Sequence, residues 1–211
     1  MCSRSSRGSR SSAAPVRAAV QNDSASLDAC VDTAPPLDLL LRRAVAADAR
    51  SLGVLGTQVF LETYAPQGIR PLIADKVLEH FSTDAIARRL AQPATDFIIA
   101  ESAGHLIGFA QHMRGAKTPH ADATDAVELT RLYGLERFTG RSVVRRLLRE
   151  SECSAASSGT PMLWLTAWIG NARAHAFYAA QGYAEAGRTF YDFQGELFEN
   201  RVFAKALGPP A

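Results

Sequence analysis

Asn171 and Tyr178 stand seven residues apart in NARAHAFY, about two helical turns, and so project from roughly one face of a helix. A phenol held on such a face can donate a proton to a group that gains negative charge late in a reaction. An asparagine at the head of the same helix can cap it. A second set is basic: Arg141, Arg145, Arg146 and Arg149 gather around the start of another helix, beside the capping type Ser142. Helix starts carry unpaired N–H groups and partial positive charge, which suits a phosphate or pyrophosphate; the alternative for these arginines is a solvated helix surface. Glu128, early in an apolar strand, has the type for a general base if its surroundings raise its pKa toward neutrality. A carboxylate satisfied by Arg131 or by a neighbouring strand is the other reading. Phe177 and Tyr178 can equally be residues that pack their helix against a sheet.

These residues need elements to position them. Met162–Trp168 is apolar, aromatic and partly β-branched, as a buried strand requires, and Gly182 stops the helix that Asn171 begins. Val127–Leu135 alternates, which predicts Glu128, Thr130 and Leu132 on one face and Leu129, Arg131 and Tyr133 on the other. A helix from Ser142 into Glu150 buries Val144, Leu147 and Leu148. Upstream, Leu37–Arg42 is a candidate strand. Helical spacing then runs from Ala44 to Tyr64, through Ile73–Phe81, and briefly over Thr83–Ala91. Phe97–Glu101 and His105–Ala110 flank Ala103-Gly104 and predict a hairpin of strands about five residues long. After Gly182, strand material recurs at 182–187, 189–193 and 197–207.

The 211 residues suit one substantial core rather than two. The net charge is only +2, but Arg4, Arg7, Arg10 and Arg17 lie in residues 1–22 without an acid, leaving about −2 for residues 23–211. Residues 1–36 have too little apolar material to fold and are expected to be a disordered basic tail and linker, with the folded domain at 37–207. Four arginines are too small a footprint for specific nucleic-acid recognition, and no window has the length and apolarity of a membrane span. Cys2, Cys30 and Cys153 are scattered, against a disulfide framework or zinc knuckle and consistent with a reducing cytoplasm. Cys153 lies along a helix without an evident histidine partner, against a nucleophilic thiol. His112 and His120, with Asp122 and Asp125, are assigned to the loop from Met113 to Ala123 and lack a third orienting partner, so no metal is expected.

NARAHAFY fits the N-x-x-A-x-x-F-Y pattern of the GNAT superfamily of N-acetyltransferases, and WLTAW before it and QGY after it also fit. The chain resembles that superfamily over roughly residues 37–207. The resemblance implies an α/β (α+β) acyl-CoA N-acyltransferase fold, with a central mixed, mostly antiparallel sheet flanked by helices. It implies acetyl-CoA as cosubstrate, Asn171 on the pantetheine arm, and Tyr178 as proton donor to the departing thiolate. Backbone N–H near Leu135 would polarise the thioester carbonyl, and Glu128 would deprotonate the amine directly or through water.

The superfamily's cofactor loop, Gln or Arg, two residues, Gly, one residue, then Gly or Ala, falls on Thr139-Gly140-Arg141-Ser142-Val143-Val144, with Arg145 following. All three defined positions depart from it, at Thr139, Ser142 and Val144. A register starting at Arg137 fits as a string but spoils the spacing to the helix. TYAPQG, the residues around Phe81, and GRTFYDFQGELFENRVFAKAL look like polyamine acetyltransferases of the PaiA kind. That likeness implies a small cationic amine such as spermidine or spermine as acceptor, met by Glu62 and Glu79, and a homodimer. Both glutamates also suit solvated helix faces. The alternatives are acetylation of peptide or protein amino termini, amino sugars or antibiotics, and a non-catalytic regulator or coenzyme A-binding module.

Overall fold

The computed structural model describes residues 37–118, 125–138, 142–193 and 195–208, with the backbone alone at Phe193. The expected tail at 1–36, His120, Asp122, and Thr139, Gly140 and Arg141 of the expected cofactor loop lie outside the described residues.

A seven-stranded sheet carries the chain: β1 (Leu39–Arg43), β2 (Thr95–Ser102), β3 (His105–Arg114), β4 (Val127–Gly134), β5 (Met162–Trp168), β6 (Ala184–Phe193) and β7 (Glu196–Ala206). The spatial order is β1-β2-β3-β4-β5-β7-β6, and every neighbouring pair is antiparallel except β4 with β5. The mixed, mostly antiparallel sheet expected from the sequence is therefore present. α1 (Ala49–Tyr64), α2 (Pro71–Phe81) and α3 (Thr83–Leu90) are followed by the β2–β3 hairpin; α4 (Val143–Ser157) follows β4, and α5 (Ala172–Ala180) follows β5. Among the described residues no helix is long and apolar enough to cross a membrane.

Two cores separate the faces of β4. Leu129 and Leu132 pack with Val144, Leu147 and Leu148 of α4 and with Tyr178 of α5. Tyr133 and Leu135 pack with Leu52, Val59 and Phe60 of α1, Phe81 of α2 and Ile86 of α3. The glycines that weaken α1 by propensity serve this second core. A Cβ on Gly56 would collide with the Phe81 ring, and one on Gly53 with the Phe81 carbonyl oxygen. Close approach of α1 to α2 thus costs some helix propensity.

Several boundaries differ from the sequence reading. β3 continues to Arg114 because β4 pairs with it as far as Arg114↔Val127, so His112 is a buried strand residue rather than a loop residue. Residues 184–193 form one strand, with a register shift between Glu185 and Gly187 where two pieces were expected. α4 runs on to Ser157, beyond the Glu150 expected.

Candidate active site

The site begins where the one parallel pairing fails. β4 and β5 pair only at Val127↔Leu163 and Glu128↔Trp164, and beyond those residues the strands diverge. Backbone N–H groups on this edge of β4 past Glu128 therefore face an opening without a paired β5 residue. Leu135 donates its N–H to the Ile107 carbonyl at 3.0 Å, and antiparallel alternation sends the N–H groups of Tyr133 and Arg131 toward β3 as well. The polarising N–H was expected near Leu135, and Leu135's own is spent on Ile107. The donors that face the opening are Gly134 and Leu132.

A bulge redistributes the side chains of β4. Gln111 pairs with Arg131 and His112 with Leu129, so Thr130 is the extra residue, its hydroxyl donating to the Gln111 carbonyl at 3.0 Å. Simple alternation placed Glu128 with Leu132 and opposite Arg131. The bulge resets the phase: Glu128 joins Arg131 and Tyr133 on the face covered by α1–α3, while Leu129 and Leu132 face α4. Glu128 is buried at the closed, still-paired end of β4 and β5, close enough to Arg131 to feel its charge.

On the opposite face, α5 starts at Asn171, whose Oδ1 accepts the Ala174 N–H at 3.0 Å as the sequence predicts for a cap. It ends with Gly182 at φ +83° and a bond from the Tyr183 N–H to the Tyr178 carbonyl at 3.0 Å, the pattern of a helix stop built on a left-handed glycine. Two turns after the cap, Tyr178 is 0% exposed, with its ring edge-on to Phe177 and Tyr183 and tilted against Phe203. Its hydroxyl is buried and has no hydrogen-bond partner among the described residues. Burial holds this phenol protonated, its pKa well above the usual value, with the Tyr64 and Tyr133 phenols nearby adding to the effect. A buried, unpartnered proton donor beside an opened sheet is a group waiting for an acceptor.

Asn171 itself lines an adjoining cleft of about 490 Å³ with Glu62, Thr63, Glu136, Trp168, Gly170 and Arg173. The shared helix face does not put both residues on the cleft wall: Asn171 is at its surface and Tyr178 is packed behind. Trp168 lies 6.0 Å, ring to ring, from Tyr64 and folds over Gly170, where a Cβ would collide with the indole. Arg173 pairs with Glu136 at 3.2 Å, and Glu62 accepts a bond from Gln58 at 2.9 Å. Glu79 is 65% exposed on α2 and does not line this cleft.

At the head of α4, Ser142 occupies the N-cap position at φ +59°, a left-handed backbone, and its side chain makes no capping bond. The conformation is one that glycine adopts without strain, so Ser142 holds a glycine-like backbone. Val143 and Val144 point into the core. Arg145 is exposed, and Arg146 donates to the Leu39 carbonyl at 3.1 Å. The expected arginine cluster is therefore divided, with one member anchored on β1.

These features fit an acyl-coenzyme A thioester: an opened strand pair with two donors facing the gap, a phenol without a partner among the described residues, and a left-handed residue at the head of a helix. Sequence reasoning missed Tyr64, Tyr133 and Trp168, although TYAPQG and the aromatic Met162–Trp168 run were in view. The acetyltransferase (GNAT) family model matches residues 60–183. An uncharacterized N-acetyltransferase of Mycobacterium tuberculosis is 31% identical over 144 residues, 68% of this chain and 88% of that protein. Among solved structures, PaiA N-acetyltransferase from Thermoplasma acidophilum, in complex with coenzyme A, is similar with a TM-score of 0.63 at 20% identity, over 81% of this chain and 99% of that one. Ribosomal-protein-alanine N-acetyltransferase from Brucella melitensis is similar with a TM-score of 0.56 at 21% identity, over 80% of this chain and 99% of that one.

Proposed function

The chain belongs to the acetyltransferase (GNAT) family and uses acetyl-CoA as its cosubstrate, and we propose that it acetylates a small cationic primary amine, with polyamines such as spermidine or spermine foremost. The observation that carries the acceptor class is the cleft: two carboxylates, Glu62 and Glu136, against one cation, Arg173, which pairs with Glu136, beside the Trp168 and Tyr64 rings. Carboxylates and aromatic faces both favour ammonium groups. The likeness to PaiA in fold and in residues 187–207 agrees with this choice.

When bound, acetyl-CoA supplies an acetyl group activated as a thioester. Gly134 and Leu132 would turn their free N–H groups to the carbonyl oxygen and hold the charge that grows there. Tyr178, on the α5 side, keeps a proton at Oη for the sulfur as it leaves. The face covered by α1–α3 carries Tyr133, Arg131 and Glu128, so the amine would enter there, opposite the phenol. Glu128 would take the amine's proton through water, since it is buried at the closed end of the strand pair. Ser142, Val143 and Val144 would place the amides of the α4 start, with Arg145 beside them, at the pyrophosphate, and Asn171 would meet the pantetheine arm with its amide nitrogen.

An acetyl-CoA turnover screen reading free thiol tests the proposal against polyamines, peptides and aminoglycosides. Spermidine should be acetylated with a kcat/KM far above the rest. Strong activity confined to peptide amino termini would overturn the polyamine reading.

A further inference from the structure

The α1–α3 face of β4 holds an unusual set of charges. Arg131, in the centre of β4, is 2% exposed; one terminal nitrogen donates to Gln111 Oε1, and its guanidinium also bonds the Tyr133 hydroxyl. Its Nε is buried without a partner among the described residues, and the group lies 5.3 Å from the Phe81 ring centroid. From α2 come Lys76, buried and bonded to the Tyr191 hydroxyl of β6, and His80. From α3 comes Arg89, half-buried, 2.9 Å from His80 Nδ1. The buried acid on this face is Glu128; Glu79 projects from α2 into solvent. Tyr64 of α1 and Tyr178 of α5 are the titratable groups that approach from the opening.

We propose that Arg131, backed by Lys76, acts through space to keep the reacting acceptor amine unprotonated, while Glu62 and Glu136 at the mouth hold a second, still-charged ammonium of the same molecule. The inference rests on the reading of this face as the amine site. An alkylamine is an ammonium at neutral pH and has no lone pair to attack with until it loses a proton. A buried guanidinium stays charged through any working pH, and like charge in a desolvated site disfavours the ammonium form. The interior is already sensitive to this field. His80 is held neutral, its pKa lowered to about 3 by burial and then by Arg131, Lys76 and Arg89. The cleft thus carries Glu62 and Glu136 at its mouth, the latter shared with Arg173, while the cationic set lies behind its wall, reached through Trp168, Tyr64 and Tyr133. Such an arrangement would sort the two ends of a diamine: one charged, one nucleophilic.

The test compares kcat against pH for the wild-type protein, Arg131→Met and Arg131→Lys, with the best amine from the screen and with 2,2,2-trifluoroethylamine, which is already neutral at pH 7. Removing the charge should move the rising limb up by about one pH unit and lower kcat at pH 7 about tenfold on the ordinary amine, the curves converging at high pH. Arg131→Lys, whose ammonium the same buried cationic site disfavours, should shift the limb in the same direction as Arg131→Met but by less, and trifluoroethylamine should show less than a twofold change. An equal loss at every pH would make Arg131 a packing residue and overturn the proposal. An equal shift with both amines would assign the effect to Glu128 and overturn it too. Lys76→Met, expected to give a smaller shift of the same sign, serves if Arg131→Met fails to fold; no shift there overturns the proposal. Failure of spermidine with success of another amine would sink the polyamine reading and leave this comparison intact, whereas no turnover of any amine removes both.

Discussion

A Cγ2 methyl of Val144, at the start of α4, lies 2.8 Å from where a Cβ on Gly134, at the end of β4, would stand. Val144 stands where the sequence resemblance would put a small residue at the head of the helix, and read alone it crowds that turn. The structure turns its side chain inward, into space that Gly134 leaves empty.

Adding that methyl back should disturb both partners. Gly134→Ala is expected to destabilise the fold by about 1–3 kcal/mol in chemical denaturation, the usual range for overpacking. It should also weaken acetyl-CoA binding in calorimetry, because α4 must shift at the end that meets the anion. Adding Val144→Ala should relieve the clash, so that the double variant costs less than the sum of the singles by about 1 kcal/mol or more. Strict additivity would show that the two residues do not share the space.

Ser142 supplies a second test of the same loop. At φ +59° it holds a left-handed backbone that costs an L-residue roughly 1–2 kcal/mol, partly offset in glycine by a freer unfolded chain. Ser142→Gly should therefore leave stability unchanged or raise it by up to about 1 kcal/mol, with acetyl-CoA affinity kept. Ser142→Val, β-branched, should lose both. A marked loss of affinity in the glycine variant would mean that the serine hydroxyl, rather than the backbone, serves the ligand.

Much of this was legible where the signal is local. The seven-residue spacing of Asn171 and Tyr178, the cap and the glycine stop lie within one helix, and the structure keeps all three. What depended on a partner was not legible. The bulge at Thr130 is set by which β3 residue faces which β4 residue, so alternation along β4 alone put Glu128 on the wrong face. Which N–H near Leu135 points away from β3 was not readable until the bond from Leu135 to Ile107 was placed. The burial of Arg131 and His80 depends on α2 and α3 closing over β4, which glycines 53 and 56 permit and no short motif announces.

His112 predicts how the fold responds to acid. It is 4% exposed, its Nε2 has no partner among the described residues, and its pKa is lowered from 6.5 to about 4 by burial, against an opposing pull from Asp96. A histidine with a depressed folded pKa binds its proton more readily when the chain unfolds. Its stabilising contribution is complete above pH 6.5 and disappears as pH falls through about 4. Between pH 7 and pH 5 the loss should be about 2 kcal/mol. His112→Asn should be less stable at pH 7 yet lose less on acidification, read from urea midpoints at the two pH values. Parallel decline of both proteins would remove His112 as the source.

Tyr178 predicts the chemistry. Its hydroxyl makes no hydrogen bond among the described residues, so Tyr178→Phe removes a proton donor without breaking a contact, and the ring keeps its packing on Phe177, Tyr183 and Phe203. Melting temperature and acetyl-CoA affinity should hold, and the loss of a buried, unsatisfied group should if anything stabilise the fold. If the phenol protonates the leaving sulfur, kcat should fall roughly 10–1000-fold, the scale of general acid catalysis. The fall should shrink with an acyl donor whose thiol is more acidic, since that sulfur leaves as a thiolate without help. A residue that only packs the helix would show the opposite pattern: a lower melting temperature and no dependence on the leaving group. Measuring kcat with both donors beside the melting curve separates the two, and unchanged turnover in a folded Phe variant would take Tyr178 out of the mechanism.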